Sequence, residues 1–218
     1  MPYRRTENVV RRLAEREQAI LAAATALAAE GGVAAVQIAA VAARAGIAAG
    51  TVYRYFPSKT HLIAELVAAV AGRELATIKA AGNAAPGPLS ALAACIATFA
   101  MRALSERRLV WAVIGEAVDA EADVLRLDFR RSLAAELETR MNAAIAGGHL
   151  PAQDARIAAP AIIGALMESL LGPLAPARPD AAAHAAVQSA TLLALRALGV
   201  VDARARGLVV QYAVPSDD

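Results

Sequence analysis

The chain has 218 residues, of which 58% are hydrophobic and 19% are charged, a length sufficient for one domain or for two small domains that share a core. No run of about 18 apolar residues is free of charge, and no apolar segment follows the basic N-terminus, so we expect neither a membrane span nor a secretory signal. The single cysteine, Cys95, cannot form an internal disulfide and is expected to be a small buried hydrophobe, which suits a cytoplasmic protein.

The charge is distributed unevenly along the chain. Residues 1–60 have eight Arg and Lys against four Glu, a net charge of +4, whereas the remaining residues have 14 cations and 16 anions, a net charge of −2. A basic N-terminal region on a mildly acidic body indicates a polyanionic partner at one end. A solvated basic tail is the alternative.

The first predicted element is a helix over residues 13–30. Leu13, Ile20 and Leu27 recur there at helical spacing, and the alanine-rich composition favours an all-α protein. Residues 1–16 are assigned to a basic arm, which we expect to be mobile as far as residue 12. Two successive glycines stop the helix.

Two short helices and a longer one follow. They are predicted over residues 38–45, 49–55 and 58–78. Gly46 supplies the turn between the first two. Pro57 disfavours the helical conformation of the residue before it and so ends the second. Ser58 is a favourable N-cap for the third.

The rest of the chain is predicted to be a larger helical body. The stretch AAGNAAPGP, residues 80–88, is the clearest break. Helices are predicted beyond it over residues 89–105, 107–119, 122–146, 155–174 and 179–198. The tail, residues 200–218, has no clear period and is expected to pack loosely. We therefore divide the chain into the arm (1–16), a three-helix DNA-binding domain with its connecting helix (17–78) and the helical body (79–218).

Residues 49–59 read AGTVYRYFPSK and concentrate aromatic rings on one short helix. The chain has four Tyr and three Phe residues, and three of these seven lie in this stretch. Two short helices joined by a glycine turn and followed by a longer helix are typical of a helix-turn-helix, whose second helix enters the major groove of DNA. The sequence therefore predicts a recognition helix here.

The aromatic and hydroxyl side chains of this helix divide by spacing. Val52 and Phe56 are four residues apart, so both are expected to face the core. Thr51, Tyr53 and Tyr55 then project elsewhere, where their hydroxyls can bind phosphates. The alternative is that the tyrosines are core residues with solvated tips.

Three cations near this helix have different expected roles. Arg54 is the candidate for direct base readout through a bidentate contact to guanine. Lys59, at the start of the fourth helix, is expected to bind a phosphate. Either could instead be a solvated surface cation. Arg44 is expected to be structural or solvated rather than a base reader.

The stretch AARAGIAAGTVYRYFPSKTHLIAEL, preceded by ILAAATALAAEGGVAAVQIAAV, resembles the DNA-binding domain of the TetR family of transcriptional regulators over about residues 17–65. The pattern G-x-x-x-G-T-V-Y-x-Y-F-P-S-K, which ends at Lys59, is highly specific. The resemblance implies a dimeric, all-helical regulator that binds a near-palindromic operator and releases it when a small molecule enters the C-terminal domain. The DNA contacts that the resemblance implies lie at Gln37, Ala39, Ala48, Ala49, Gly50, Thr51, Tyr53, Arg54, Tyr55 and Lys59.

Three of these positions depart from the family pattern. Members often have Thr or Ser where Gln37 stands, a polar residue where Ala39 stands, and Ser where Ala48 stands. The missing Ser cap costs about 1 kcal/mol of helix stability. These changes leave fewer polar contacts and place more weight on Arg54. The basic arm either compensates through phosphate or minor-groove contacts or is a solvated arm.

Two helices of the body have faces of small and branched residues that are predicted to form a dimer interface. Small residues allow helices to approach closely, and the TetR resemblance points to the same two helices. The predicted interface residues are Ile162, Ala165, Leu166 and Ser169 on one helix and Val187, Ala190, Thr191 and Ala194 on the other. The alternative is that these faces pack inside one subunit.

An effector pocket is predicted among the body helices, from large or adaptable apolar side chains. The candidates are Phe99, Met101, Trp111, Phe129, Met141 and Met167, with Glu116, His149 and Glu168 as polar anchors. Core or surface packing is the alternative for each. Charged inward-facing candidates are few, so we expect an apolar or amphipathic effector, and we expect no metal and no cofactor.

The sequence thus predicts a ligand-responsive transcriptional repressor. The alternative is a DNA-binding regulator without a small-molecule ligand, controlled by a protein partner. A solvent-accessible cavity in the body would favour the first and a filled core the second. We do not expect an enzyme, since the chain has three histidines, no glycine-rich phosphate loop and no G-x-S-x-G motif.

Overall fold

The computed structural model describes residues 3–116, 120–176 and 182–213. Within these residues the chain forms ten α-helices and no β-strand, which confirms the all-α fold class. The helices are α1 (Tyr3–Gly31), α2 (Ile38–Arg44), α3 (Ala49–Tyr55), α4 (Lys59–Ala84), α5 (Pro88–Ser105), α6 (Arg107–Ile114), α7 (Ala120–Ala146), α8 (Ala155–Leu170), α9 (Ala183–Ala197) and α10 (Asp202–Tyr212). A short 3-10 turn, Val33–Ala35, joins α1 to α2.

The N-terminal domain is a three-helix unit closed by the start of α4. Helix α1 packs on α2 and α4, and α2 packs on α3. Ile20, Val41, Val52 and Leu62, one from each helix, are fully buried. Each short helix therefore contributes one narrow apolar stripe to the core and leaves its remaining faces at the surface.

The turn between α2 and α3 depends on Gly46. Its φ of 65° lies in the left-handed region, which residues with a Cβ adopt at a cost. The Gly46 N–H donates to the Ala43 carbonyl at 3.2 Å and the Ile47 N–H donates to the Ala42 carbonyl at 3.0 Å. This Schellman arrangement ends α2 and redirects the chain into α3.

The first helix begins earlier than predicted, within the segment assigned to the basic N-terminal arm, residues 1–16. Helix α1 begins at Tyr3 rather than near Leu13, because the sequence contains no Gly or Pro from there to Glu30 and is rich in helix-forming Arg, Glu and Ala. Leu13 is 47% exposed and so is not part of the buried face. The N-terminal half of α1 therefore extends beyond the domain core as an exposed basic helix.

Helix α4 connects the domain to the body and ends at Ala84, later than the predicted residue 78. An ion cluster fixes it to α5. The Glu74 carboxylate, 4% exposed, accepts hydrogen bonds from Arg102 at 2.8 and 2.7 Å and from Arg73 at 3.1 Å. Glu106 also binds both arginines. The clearest break in the chain is shorter than predicted and lies between α4 and α5.

Helix α5 is the centre of the body. It packs against α4, α7, α9 and α10, and Cys95 on it is fully buried, as expected. Burial raises the pKa of the Cys95 thiol to about 11. By length and composition α5 would suffice to cross a membrane, but 67% of it is buried inside the body. Its apolar character is explained by that burial.

The predicted loose tail is wrong over most of its described part. Residues 202–212 form α10, which packs on α5 and α9 and buries Ala205, Leu208 and Val209. Residues 214–218 lie outside the described part of the chain.

Some predicted helix ends in the body are also wrong. Helix α6 ends at Ile114 and α8 at Leu170, before the predicted residues 119 and 174. The intervening residues 117–119 lie outside the described part.

Candidate nucleic-acid interface and ligand cleft

Helix α3 stands on the protein surface with one face in the core. Val52 is fully buried and Phe56 is 1% exposed, which confirms the predicted core pair. Tyr53 is 51% exposed and Arg54 is also exposed, whereas Thr51 and Tyr55 are partly buried. Tyr55 packs against the core cluster, so the alternative reading of a core tyrosine with a solvated tip describes Tyr55 better than Tyr53.

The N-terminal ends of α2 and α3 face solvent. Gln37 and Ala48 occupy the two N-cap positions in extended conformation, and neither provides a side-chain cap. The Gln37 amide instead donates to the Ala34 carbonyl at 2.9 Å. Ala39 and Ala49 are exposed. Among the described residues, no N-cap side chain therefore covers these two helix ends.

Gly50, in the first turn of α3, is exposed. A Cβ built on it would meet no atom within 4 Å. No steric contact within the described part of the chain requires a glycine at this position. Its small size is instead suited to the close approach of another molecule.

Lys59 begins α4 next to the end of α3. Ser58 caps this helix, because its hydroxyl accepts a hydrogen bond from the His61 N–H at 3.0 Å, as predicted. Lys59 is half-buried and has no ion-pair partner among the described residues. A cation next to the N-terminus of a helix favours a bound anion.

Arg44 has a structural role. Its guanidinium donates two hydrogen bonds to the Glu30 carboxylate, at 2.6 and 2.8 Å, and so joins α2 to the end of α1. The hydrogen bond from Arg44 lowers the pKa of the Glu30 carboxyl. Arg44 is therefore occupied within the domain, in line with the expectation that it does not read bases.

The N-terminal half of α1 lies beside the recognition helix. The two helices border a groove of about 370 Å³. Its walls are Val9, Arg12, Leu13 and Arg16 from α1 and Thr51, Arg54 and Tyr55 from α3. Three arginines thus border one groove on the exposed side of α3. The sequence indicated the basic character of residues 1–16 but not that a continuous helix would place Arg12 and Arg16 there.

A second cleft, of about 290 Å³, lies in the body between α6, α7 and α8. Its walls are Trp111, Ile114 and Gly115 from α6, Arg126 and Arg130 from α7, and Gly164, Met167 and Glu168 from α8. Of the predicted pocket residues, Trp111 and Met167 line it, as does the predicted anchor Glu168. Arg126 and Arg130 were missed, although their spacing of four residues places them on one face of α7.

The other predicted pocket residues lie elsewhere. Phe99, Phe129 and Met141 are buried in the core, and Met101 packs against it. His149 is exposed in the turn after α7. These apolar side chains belong to the packing of the body, because α5 is buried on most of its faces and α7 contributes one buried stripe.

Glu116 was predicted to be a pocket anchor but instead joins the two domains. Its carboxylate accepts a hydrogen bond from the Val33 N–H at 2.9 Å and forms an ion pair with Arg108. Arg108 also donates to the Gly31 carbonyl at 3.0 Å. Gly32, with φ of 71°, leaves room for the guanidinium, since a Cβ there would lie 1.8 Å from it. The C-terminal end of α6 is thereby fixed to the end of α1.

Most of the predicted dimer residues are buried within the subunit itself. Six of the eight are less than 9% exposed: Ile162, Leu166, Val187, Ala190, Thr191 and Ala194. Ala165 is exposed and Ser169 is partly buried. The alternative, that these faces pack inside one subunit, therefore describes the six. The exposed faces of α8 and α9 include Ala161, Ala165, Ser189 and Leu193.

Helix α3 is exposed on its polar face, is anchored in the core by Val52 and Phe56, and follows α2 after the turn at Gly46. This arrangement is that of a helix-turn-helix domain. Residues 20–66 match the sequence model of the bacterial regulatory proteins of the tetR family. The resemblance predicted from the sequence is confirmed.

A curated relative is the HTH-type transcriptional repressor KstR of Rhodococcus jostii (strain RHA1). It is 55% identical over 73 residues, which are 34% of this chain and 32% of that protein. The match thus spans about a third of the length of the curated relatives. The sequence likeness is therefore strong over about a third of each chain.

Solved structures resemble the whole fold. A TetR-family transcriptional regulator from Agrobacterium tumefaciens has a TM-score of 0.69 at 22% identity and covers 85% of this chain and 98% of its own. The complex of RolR with resorcinol has a TM-score of 0.64 at 20% identity and covers 92% and 95%. The arrangement of a helix-turn-helix domain on a larger helical body is therefore shared.

Proposed function

We propose that this protein is a dimeric transcriptional repressor that binds a near-palindromic DNA operator and releases it when a small molecule occupies the body. The observation on which this rests is the exposed face of α3 in a TetR-type domain, with its core face buried through Val52 and Phe56. The curated relative KstR is itself described as a transcriptional repressor. Neither a catalytic activity nor a cofactor is part of this proposal, and DNA binding implies a cytoplasmic location.

The DNA contacts in this proposal combine readout and positioning. Arg54 reads a guanine in each half-site, because its exposed guanidinium has no ion-pair partner among the described residues. Tyr53, Thr51 and Lys59 contact phosphates on the flanks, and Gly50 lets the backbone of α3 approach the DNA. The short side chains of Ala39, Ala48 and Ala49 bring the same surface close to the groove. Gln37 lies beside them at the start of α2, and Tyr55 lies at the edge of this surface.

The α1 extension is the further DNA element of this proposal. Arg12 and Arg16 border the same groove as Arg54, so they add phosphate contacts next to the recognition helix. Such contacts compensate for the polar groups that Ala39 and Ala48 lack.

Dimerisation through α8 and α9 would place two recognition helices on one operator. Leu193, 57% exposed, lies on the solvent face of α9 with Ser189, and Ala161 and Ala165 lie on the solvent face of α8. Small residues around one exposed leucine are suited to close helix packing between subunits. A two-fold axis here makes the operator near-palindromic.

The ligand would cause the release of DNA by moving the end of α6. Trp111 and Gly115 line the cleft, and Glu116, directly after Gly115, holds the end of α1 through Val33 and Arg108. A ligand that moves the end of α6 therefore disturbs a contact that positions the DNA-binding domain. The solvent-accessible cleft favours this reading over a regulator controlled only by a protein partner.

Selection of bound sites from a pool of random DNA, together with sedimentation of the free protein, tests the proposal. We expect the selected sites to converge on a near-palindrome and the protein to sediment as a dimer. Failure to enrich any sequence would contradict the role of α3. A monomer would contradict the dimer formed by α8 and α9.

A further inference from the structure

The cleft between α6, α7 and α8 contains a cation that no described residue pairs with. Arg130 lines the cleft and is exposed, and it has no ion pair or hydrogen bond with the described part of the chain. The next residue, Arg131, is different, because it forms an ion pair with Asp128 at 3.0 Å and does not line the cleft. The two neighbouring arginines therefore differ in whether a protein carboxylate neutralises them.

The other charged groups around the cleft are already engaged. Arg126 donates to the Glu116 carbonyl and forms an ion pair with Asp123. The Glu168 carboxylate accepts the Leu174 N–H at 3.1 Å and lies over Gly172, where a Cβ would stand 2.7 Å from it. Arg130 is thus the charged group on the cleft wall that has no such engagement within the described residues.

The apolar wall is built beside that cation. The Trp111 ring lies against Gly115, because a Cβ at that glycine would be 2.2 Å from the ring. Met167 lines the opposite wall from α8 and adapts readily to ligand shape. Gly164 leaves open space, since a Cβ there would meet no atom within 4 Å. A flat or flexible apolar group fits between these residues.

We propose that this cleft binds a small organic carboxylate, whose anionic group pairs with Arg130 and whose apolar part contacts Trp111 and Met167. The inference rests on the proposed function and names the chemical class of its effector. It narrows the expected apolar or amphipathic effector to an amphipathic anion. The cleft volume of about 290 Å³ restricts the ligand to roughly one ring or a short chain.

The experiment uses Trp111, the single tryptophan of the chain, as a reporter inside the cleft. Benzoate, phenylacetate and hexanoate are titrated against the full-length protein, each beside its uncharged amide, and tryptophan fluorescence is recorded. We expect at least one acid to change the fluorescence saturably and to bind about tenfold more tightly than its amide, as a charge-assisted hydrogen bond predicts.

The variant Arg130→Gln removes the charge, and Arg131→Gln is the matched control on the same helix. We expect Arg130→Gln to lower the affinity for the acid about tenfold and to leave the affinity for the amide unchanged. Arg131→Gln should leave both affinities unchanged. Equal affinity for acid and amide, no effect of Arg130→Gln, or no saturable response to any of the three acids would overturn the inference.

DNA binding of the same preparations separates this inference from the function on which it rests. A protein that binds a selected operator but shows no preference for the acids is a repressor with a different ligand class. A protein that binds the acids through Arg130 but enriches no DNA sequence keeps the cleft assignment and refutes the repressor.

Discussion

The recognition helix and the cleft of the body both place an exposed arginine near an aromatic ring, yet the chain builds them differently. In α3, Arg54 and Tyr53 are neighbours, and both are presented by one helix whose opposite face is buried at Val52. In the cleft, Trp111 and Arg130 come from separate helices. A surface formed by one element depends on local sequence, whereas a cleft formed by three elements depends on how they pack.

The largest expected effect separates the two faces of α3. Phe56→Ala removes a side chain that is 1% exposed, and we expect it to lower the free energy of unfolding by about 3–5 kcal/mol. Tyr53→Ala, three residues earlier and on the exposed face, should change stability by less than about 0.5 kcal/mol while weakening DNA binding. Urea denaturation monitored by circular dichroism measures the stability of both variants, and fluorescence anisotropy with a selected operator measures their DNA binding. Similar stability losses in the two variants would refute the division of the helix into a core face and a DNA face.

Arg54→Ala tests base readout. Losing a bidentate contact to guanine should reduce the discrimination at one position of each half-site by about 1–3 kcal/mol. Competition binding with single-base variants of a selected operator measures this. The control is Arg44→Ala, because Arg44 is bound to Glu30 and should not alter base preference. An unchanged preference in Arg54→Ala would remove this residue from the readout role.

Glu74→Gln tests the ion cluster that connects the two regions through α4 and α5. Leaving Arg102 and Arg73 without the buried carboxylate that they bind should cost about 2 kcal/mol of stability at neutral pH. Glu106→Gln is the control, since its side chain is 34% exposed, and should cost less than about 1 kcal/mol. Equal losses of stability in the two variants would show that the burial of Glu74 does not increase its contribution to stability.

The same variant has a defined pH dependence. Burial raises the pKa of the Glu74 carboxyl, but hydrogen bonds and charges from Arg102 and Arg73 outweigh burial, so the pKa is lowered overall. A lowered pKa in the folded protein stabilises it above the ordinary pKa of glutamate, and this contribution is lost as the pH falls through the lowered value. The stability difference between wild type and Glu74→Gln should therefore shrink on acidification. A difference that grows instead would contradict the assignment.

The smallest expected effect concerns Lys59. Lys59→Ala should weaken binding to all DNA sequences by a similar factor and reduce the slope of log affinity against log salt concentration by about one unit. The slope is measured with operator and random DNA in parallel. A loss confined to the operator would mean that Lys59 contributes to specificity rather than to phosphate binding.

The N-terminal helix-turn-helix domain could be predicted because the sequence features that determine it are local. Gly46, Pro57 and Ser58 fix the ends of the short helices, and the four-residue spacing of Val52 and Phe56 identifies the core face. Each of these depends on residues within one or two turns. The extent of α1 was missed for the opposite reason, since basic composition suggested an arm whereas the absence of Gly and Pro permits a helix.

The body could not be predicted to the same depth. Alanine and other small residues occur on all faces of α8 and α9, so hydrophobic periodicity did not distinguish the buried faces from the exposed ones. The buried faces include Leu166 and Ala190, and the exposed faces include Ala165 and Leu193. Glu116 resembled a pocket residue because its partner Val33 is distant in the sequence. Tertiary packing alone decides such positions.

The most direct test of the central claim is fluorescence anisotropy of a labelled operator, taken from the selected sites or from DNA flanking the coding region, across a salt series with excess random competitor. The account predicts tight binding that persists in competitor, weakens in proportion to log salt and maps to a near-palindrome. Equal affinity for operator and random DNA at every salt concentration would contradict the claim that α3 is a recognition helix.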